Sequence, residues 1–271
     1  MMRALWTAAT GMIGQQTNVD TISNNLANVN TTGYKKESAE FKSLLYQNIQ
    51  SKSTNNQGEY KPIPAQVGLG TRVASITSAF DQGALFSSTS NFDFAIEGQG
   101  FFKVQLPSGE IAYARNGHFQ LSIVDNGVML NTAEGYPVLD TNNQPIVFPK
   151  DINTNSVVVY DDGSIYYKDS KGVDVKSGIK FGLVQFPNAA GLEKGSSTLY
   201  YETVASGTPI DEATSTTVKR SNVKQKYLEG SNVQVVDEMV NLIVAQRAYE
   251  MNSKAIQAAD TMLQQANQLR Q

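Results

Sequence analysis

The sequence predicts an α+β chain, with long N- and C-terminal helices paired as a coiled-coil-like inner domain and a central, mostly antiparallel β domain. Apolar residues recur at three- and four-residue steps over residues 1–30 and again over 231–271, which is the period of a helix face. Residues 91–230 instead alternate in short runs broken by glycine-containing turns, which is the period of a strand. Residues 31–90 follow neither period and are expected to link the two.

In the first helix Leu5, Ala8, Met12, Gln15, Val19, Ile22, Leu26 and Val29 fall on one stripe, with Gln15 its only polar member. Asn28, Asn30 and Gly33 supply the expected stop, because glycine closes helices in the left-handed conformation without a steric cost. Arg3 and Asp20 are the only charges among residues 1–30. The remaining polar positions carry amides and hydroxyls, as in Gln15-Gln16-Thr17-Asn18. Such groups cost far less to desolvate than ions, so this face suits burial among other helices.

The linking segment contains a polar stretch at 51–58 that reads as a loop, flanked by apolar residues at 41–49 and 67–80 that can pack. In the central region, hairpin turns are expected at Pro107-Ser108-Gly109-Glu110, Asp125-Asn126-Gly127 and Asp161-Asp162-Gly163. Many short strands joined by tight turns imply a barrel or sandwich-like antiparallel domain rather than βαβ units.

The last helix is expected to start at a capping box on Ser231-Asn232-Val233-Gln234, and it meets no Gly or Pro before the end of the sequence. Asp237 and Glu238 in its first turns complement the helix dipole. Leu242, Ala245, Tyr249, Asn252, Ile256, Ala259, Leu263 and Ala266 form one heptad stripe, while Ala248, Met251, Ala255, Ala258, Met262 and Leu269 form a second beside it. Two stripes require two sets of partners.

Composition narrows function. With 22 Lys and Arg against 25 Asp and Glu, the net charge of −3 gives no field for gathering nucleic acid. The absence of cysteine removes disulfides, thiolate metal sites and cysteine nucleophiles. No apolar run is long enough for a membrane span, and the N-terminus lacks the apolar core of a secretory signal. His118 is the one histidine and has no candidate nucleophile beside it. Gly98-Gln99-Gly100 lacks the third glycine and the helix of a dinucleotide site. Neither acidic turn has the spacing of a calcium loop. No catalytic residue, cofactor or metal is expected, and the chain is not expected to be an enzyme. Tyr166-Tyr167 and Tyr200-Tyr201 leave one rival reading, an exported β-domain protein whose rings stack on sugars.

Three motifs carry a family resemblance. Ser23-Asn24-Asn25-Leu26-Ala27-Asn28-Val29-Asn30-Thr31-Thr32-Gly33-Tyr34-Lys35 resembles the N-terminal motif of flagellar basal-body rod and hook proteins. Glu229-Gly230-Ser231-Asn232-Val233, with Glu238 to Glu250 including Gln246, Arg247 and Tyr249, resembles their C-terminal motif. Gly98-Gln99-Gly100-Phe101-Phe102 with Tyr113-Ala114-Arg115-Asn116-Gly117 is similar to the start of the family's central domain. Within the family, the length and the insert at about 46–68 most resemble the distal-rod members, with the proximal-rod members as the alternative.

The resemblance implies a structural subunit that passes unfolded through the flagellar type III export apparatus. Many copies of it then build a rigid hollow tube that carries torque to the hook. The implied partners are neighbouring rod and hook proteins and the surrounding basal-body rings, and the implied location is the axial rod crossing the periplasm. Residues 1–30 with 231–271 would form the polymerisation domain, 31–90 the link and 91–230 the β domain. The expected assembly interface comprises Leu5, Met12, Val19, Ile22, Leu26 and Val29 with Val240, Ile243, Ala248, Met251, Ala255, Ile256, Met262 and Leu263.

Overall fold

The computed structural model describes residues 2–50, 65–124, 127–149, 156–168, 174–196, 198–216 and 218–269. The chain divides into two compact units, one built from Met1–Ala27, Glu37–Ser78 and Gln234–Gln271, the other from Asn28–Lys36 and Ala79–Val233.

In the first unit, helix α1 (Met2–Ala27) lies against helix α2 (Val235–Gln268). The two run antiparallel, since Gly11 faces Asn252 and Asn25 faces Glu238. Glycine inside a helix costs about 1 kcal/mol relative to alanine. At Gly11 the Asn252 side chain packs against the helix, and a Cβ there would stand 2.9 Å from Asn252 Nδ2, so the amide would have to shift. The 34 residues of α2 span about 50 Å.

The expected capping box does not form. Gln234 takes the N-cap position with no side-chain bond, and α2 starts at Val235. Ser231 Oγ accepts from Val233 N, and Asn232 is engaged by backbone groups outside the helix, so neither side chain is available to cap it. Asp237 and Glu238 do occupy the first turn. At the other end of the chain, α1 stops at Ala27 rather than residue 30, and the chain turns through Thr31 N donating to Asn28 O.

Much of the linking segment is a β-ribbon. Strand β1 (Glu37–Ser43) pairs along its length with β4 (Thr71–Ser78), and β2 (Tyr46–Gln50) pairs with β3 (Ala65–Gly68), both antiparallel. The loop expected at 51–58 lies outside the described residues.

In the second unit β5 (Leu85–Ser87), β6 (Phe94–Glu97), β7 (Phe101–Gln105), β8 (Ile111–Ala114), β9 (Phe119–Val124) and β10 (Gly127–Thr132) are followed by β11 (Val147–Phe148), β12 (Val157–Val159), β13 (Ser164–Lys168) and β14 (Asp174–Lys180). The remaining strands are β15 (Leu183–Gln185), β16 (Glu193–Lys194), β17 (Leu199–Tyr201), β18 (Ile210–Asp211), β19 (Asn222–Gln225) and β20 (Tyr227–Glu229). Every ladder among the described residues is antiparallel. The largest sheet has the order β16-β17-β8-β7-β15-β18, and β9–β11 and β12–β14 form three-stranded sheets.

The predicted hairpins joining β7 to β8 and β12 to β13 form. Leu106 N donates to Glu110 O across the first, and Gly163 N donates to Tyr160 O in the second. Val124 pairs with Gly127 around the third turn, whose residues 125–126 lie outside the described residues. Strand β7 is buried on both faces, which suits Phe101, Phe102 and Val104, while the buried Lys103 pairs with Asp211. Phe102 joins the main core with Phe94, Phe119 and Phe181, while Phe101 packs with Tyr113, Val184 and Tyr200.

Candidate assembly surfaces

The helical unit presents two kinds of apolar surface. On α1, Ile22 is buried and Leu5, Met12, Val19 and Leu26 are half-buried, as expected of a stripe facing other elements of the unit. On α2, Ala245 and Ala259 are buried and Leu242, Asn252, Ile256 and Leu263 half-buried, so the first heptad stripe is covered except at Tyr249 and Ala266, while Ala248 of the second stripe is half-buried. Val240, Ile243, Met251, Ala255 and Met262 are exposed, Ile243 to 57% and Met251 to 65%. Met2, Trp6 and Ile13 form a further exposed apolar row on α1. The sequence reading missed this row, although its helical spacing was readable. Val29 belongs to the other unit, where it is half-buried.

The motif residues of this unit fall into two groups. Asn25 is buried and fills a fixed place. Its Nδ2 donates to Glu37 O at 2.7 Å and Glu238 Oε2 at 3.1 Å, and its Oδ1 accepts from Glu37 N at 2.9 Å. One amide therefore joins α1, β1 and α2, which neither Asp nor Leu could do. Asn24 reaches Glu37 Oε2, while Ala27 is exposed. Gln246, Arg247 and Tyr249 are also exposed, and Arg247 pairs with Glu250 one turn on. Gln246 and Tyr249 join Gln16, Val19 and Glu250 around an open groove of about 400 Å³.

In the β unit the remaining motif residues converge on a buried ion cluster. Lys35, Arg115 and Glu229 have side chains 0–1% exposed. Lys35 Nζ donates to Glu229 Oε1 at 2.6 Å and to Asp81 O at 2.7 Å. Arg115 donates to Glu229 Oε2 at 3.4 Å and to Gly98 O at 2.7 Å, and its guanidinium lies over the Phe101 ring. Gly83 N adds a third donor to Glu229. Burial pulls both cations below their ordinary pKa, and the Glu229 carboxylate opposes the shift at each.

Segment 28–36 is fixed beside this cluster. Gly33 N donates to Glu229 O, and Gly33 has φ +70, with Asn116 N only 2.7 Å from where a Cβ would stand. Asn28 accepts from Thr31 Oγ1, and Tyr34 is buried beneath Lys194 Nζ. Asn232 accepts from Lys36 N and donates to Ala79 O and Asp81 O, which ties the two ends of the β unit together. Ser231 is half-buried and closes its own local turn on Val233.

His118 is half-exposed, with Nδ1 2.7 Å from the buried Asp93 carboxylate. Asp162 accepts from Ser164 N and Oγ within its hairpin turn, and these bonds hold its carboxyl below the usual range against a burial effect that would raise it. No group of acidic or histidine residues among the described residues is arranged to hold a metal. Two of the four tyrosines pack against neighbouring rings. Tyr200 is buried in the core around Phe101, and Tyr166 stands edge-on to Tyr160 at 4.6 Å.

Comparison with known proteins accounts for these motifs. Residues 5–35 match the flagella basal body rod protein family, 95–167 the flagellar hook protein FlgE/F/G D1 domain, and 224–269 the flagellar basal body rod FlgEFG protein C-terminal domain. The flagellar basal-body rod protein FlgG of Borreliella burgdorferi is 44% identical over 100% of this chain and 99% of its own length. FlgG of Buchnera aphidicola subsp. Schizaphis graminum is 42% identical, over 99% of this chain and 100% of its own. The chain belongs to the flagellar basal-body rod protein family. FlgG of Bacillus subtilis, at 36% identity over 98% of both chains, extends the similarity to a more distant relative.

This basal-body rod protein is a structural subunit of the distal rod and not an enzyme. No helix among its described residues is long and apolar enough to cross a membrane. Lys35, Arg115 and Glu229 each stand in one of the three sequence motifs, and no local pattern joins them. A usable signal was present: each is a charge set among glycine, asparagine and aromatic residues.

Proposed function

We propose that this rod protein polymerises with many copies of itself into a rigid hollow tube that transmits torque to the hook. The helical unit serves as its coiled-coil-like inner domain. The observation that carries the reading is the exposed apolar surface of α2, where Val240, Ile243, Met251 and Met262 remain open after α1 has covered the first stripe. A monomer that left this surface in water would forgo burial worth about 25 cal/mol per Å². Sister helices are the partners whose chemistry matches it, because the stripe is long, apolar and free of charge at these four positions. The ribbon of β1–β4 supports the same reading, since Leu45, Tyr46 and Ile49 are exposed on a two-stranded structure that is marginal alone. Neighbouring rod and hook proteins, the basal-body rings and the type III export apparatus complete the proposed partners, along an axis crossing the periplasm.

Two substitutions separate assembly from folding. Ile243→Asp places a charge on the exposed stripe, and the soluble chain should keep its thermal stability to within about 0.5 kcal/mol. In a strain lacking its own copy, rods should be absent from isolated basal bodies and swimming lost, because the charge is desolvated at each subunit contact. Ile256→Asp strikes the covered stripe and should also destabilise the soluble chain by about 2 kcal/mol or more. Normal rods and motility with Ile243→Asp would refute the assigned surface.

A further inference from the structure

We infer that an acidic groove on the β unit receives the exposed Lys219–Arg220 pair of a second copy of this chain. The inference rests on the polymer reading above and adds a specific contact to it. The groove encloses about 1150 Å³, and its walls include Glu110, Tyr113, Glu193, Tyr201 and Glu202. All three carboxylates are on exposed residues, and neither Glu193 nor Glu202 forms an ion pair among the described residues.

Carboxylates alone would be an ordinary solvated rim, and Tyr113 sets this groove apart. Its side chain is buried, with the residue 4% exposed, and its hydroxyl has no hydrogen-bond partner among the described residues. Burial, reinforced by Glu202 and Asp211, pushes that hydroxyl up to about 12, so it stays neutral at the groove wall with its oxygen free to accept. A neutral hydroxyl held at the groove wall by a buried ring, beside two carboxylates without ion-pair partners, suits a donor-rich cation. A guanidinium fits best, since its planar fork can bond carboxylate and hydroxyl while stacking on the Tyr201 ring.

The complement is present on the same chain, on a different wall. Lys219 and Arg220 are adjacent and exposed, and they take part in no ion pair among the described residues. They line another cavity, with Gln82, Glu97 and Gln185, that shares no wall residue with the acidic groove. The two surfaces are unpaired in the single chain, and a second copy brings them together. Such a contact is heterologous, each copy offering one half of it, and when repeated it extends a helical filament instead of closing a dimer. At a net charge of −3, a local basic pair also gives the acidic copies a defined point of attraction.

The natural absence of cysteine makes the test direct. The full chain carrying Glu202→Cys and Lys219→Cys together, as the sole copy in flagellated cells, should give a ladder of linked species when isolated basal bodies meet a short bis-maleimide. Each single variant should remain monomeric on the same gel. Glu193→Lys with Glu202→Lys should lower the number of rods at least tenfold, and adding Lys219→Glu with Arg220→Glu should restore it to within twofold. Rods verified by electron microscopy that give no ladder, a ladder from Glu202→Cys alone, or linkage of the groove only to a different protein would overturn the contact while leaving polymerisation intact. Absence of rods from the unsubstituted chain would instead overturn the polymer reading on which the contact depends.

Discussion

Replacing Glu229 with Gln is expected to cost the β unit about 3–5 kcal/mol, because it strands Lys35 and Arg115 as buried cations without their counter-charge. The carboxylate accepts from Lys35, Arg115 and Gly83, so a neutral amide also sets one donor group against those already present. Thermal unfolding of the soluble chain should show the β transition falling by about 10 °C. A double-mutant cycle with Lys35→Met gives the sharper reading. The two substitutions together should cost clearly less than the sum of the singles, since the second removes a cation that the first left unpaired. A loss below about 1 kcal/mol for Glu229→Gln would mean that water reaches the cluster and that its burial is not maintained in solution.

The second large effect is expected from Asn25→Asp, which should destabilise the helical unit by about 3 kcal/mol. The change removes the donor that serves Glu37 O and puts a carboxylate 3.1 Å from the one it served on Glu238. The loss should shrink as pH falls, because protonation relieves two facing carboxylates and returns a donor. Helical ellipticity followed through urea unfolding at neutral and acidic pH measures both parts. An equal loss at the two pH values would exclude charge repulsion and leave only the missing donor.

The helices were legible because their signal is local. The α2 stripes at three- and four-residue steps need no knowledge of the rest of the chain, and the observed cover on Ala245, Ile256 and Ala259 falls on the first of them. The hairpins around Gly109 and Gly163 were legible for the same reason, since turn chemistry resides in four residues. The ribbon was less visible. Strand β1 reads Glu-Ser-Ala-Glu-Phe-Lys-Ser and is largely exposed, so it never acquires the alternation by which a half-buried strand is recognised. The start of α2 was misplaced because Ser231 and Asn232 have the right chemistry for a cap but spend it on Val233, Lys36 and Ala79. The ion cluster joins positions 35, 115 and 229 through the tertiary fold, beyond the reach of any periodicity. Tyr200 was offered to sugars on chemistry alone, and packing around Phe101 decided otherwise.

Assembly through the open face of α2 can be measured on the native protein without substitution. Met239, Met251 and Met262 are 53%, 65% and 50% exposed in the single chain, and a methionine sulfur is oxidised at a rate set largely by its access to solvent. Hydroxyl-radical footprinting should therefore find all three reacting readily in the soluble chain. In rods isolated from cells the same residues should react severalfold more slowly, while a methionine already half-covered in the single chain, Met12, changes less. Equal oxidation of Met239, Met251 and Met262 in soluble chain and rods would contradict helix-mediated polymerisation.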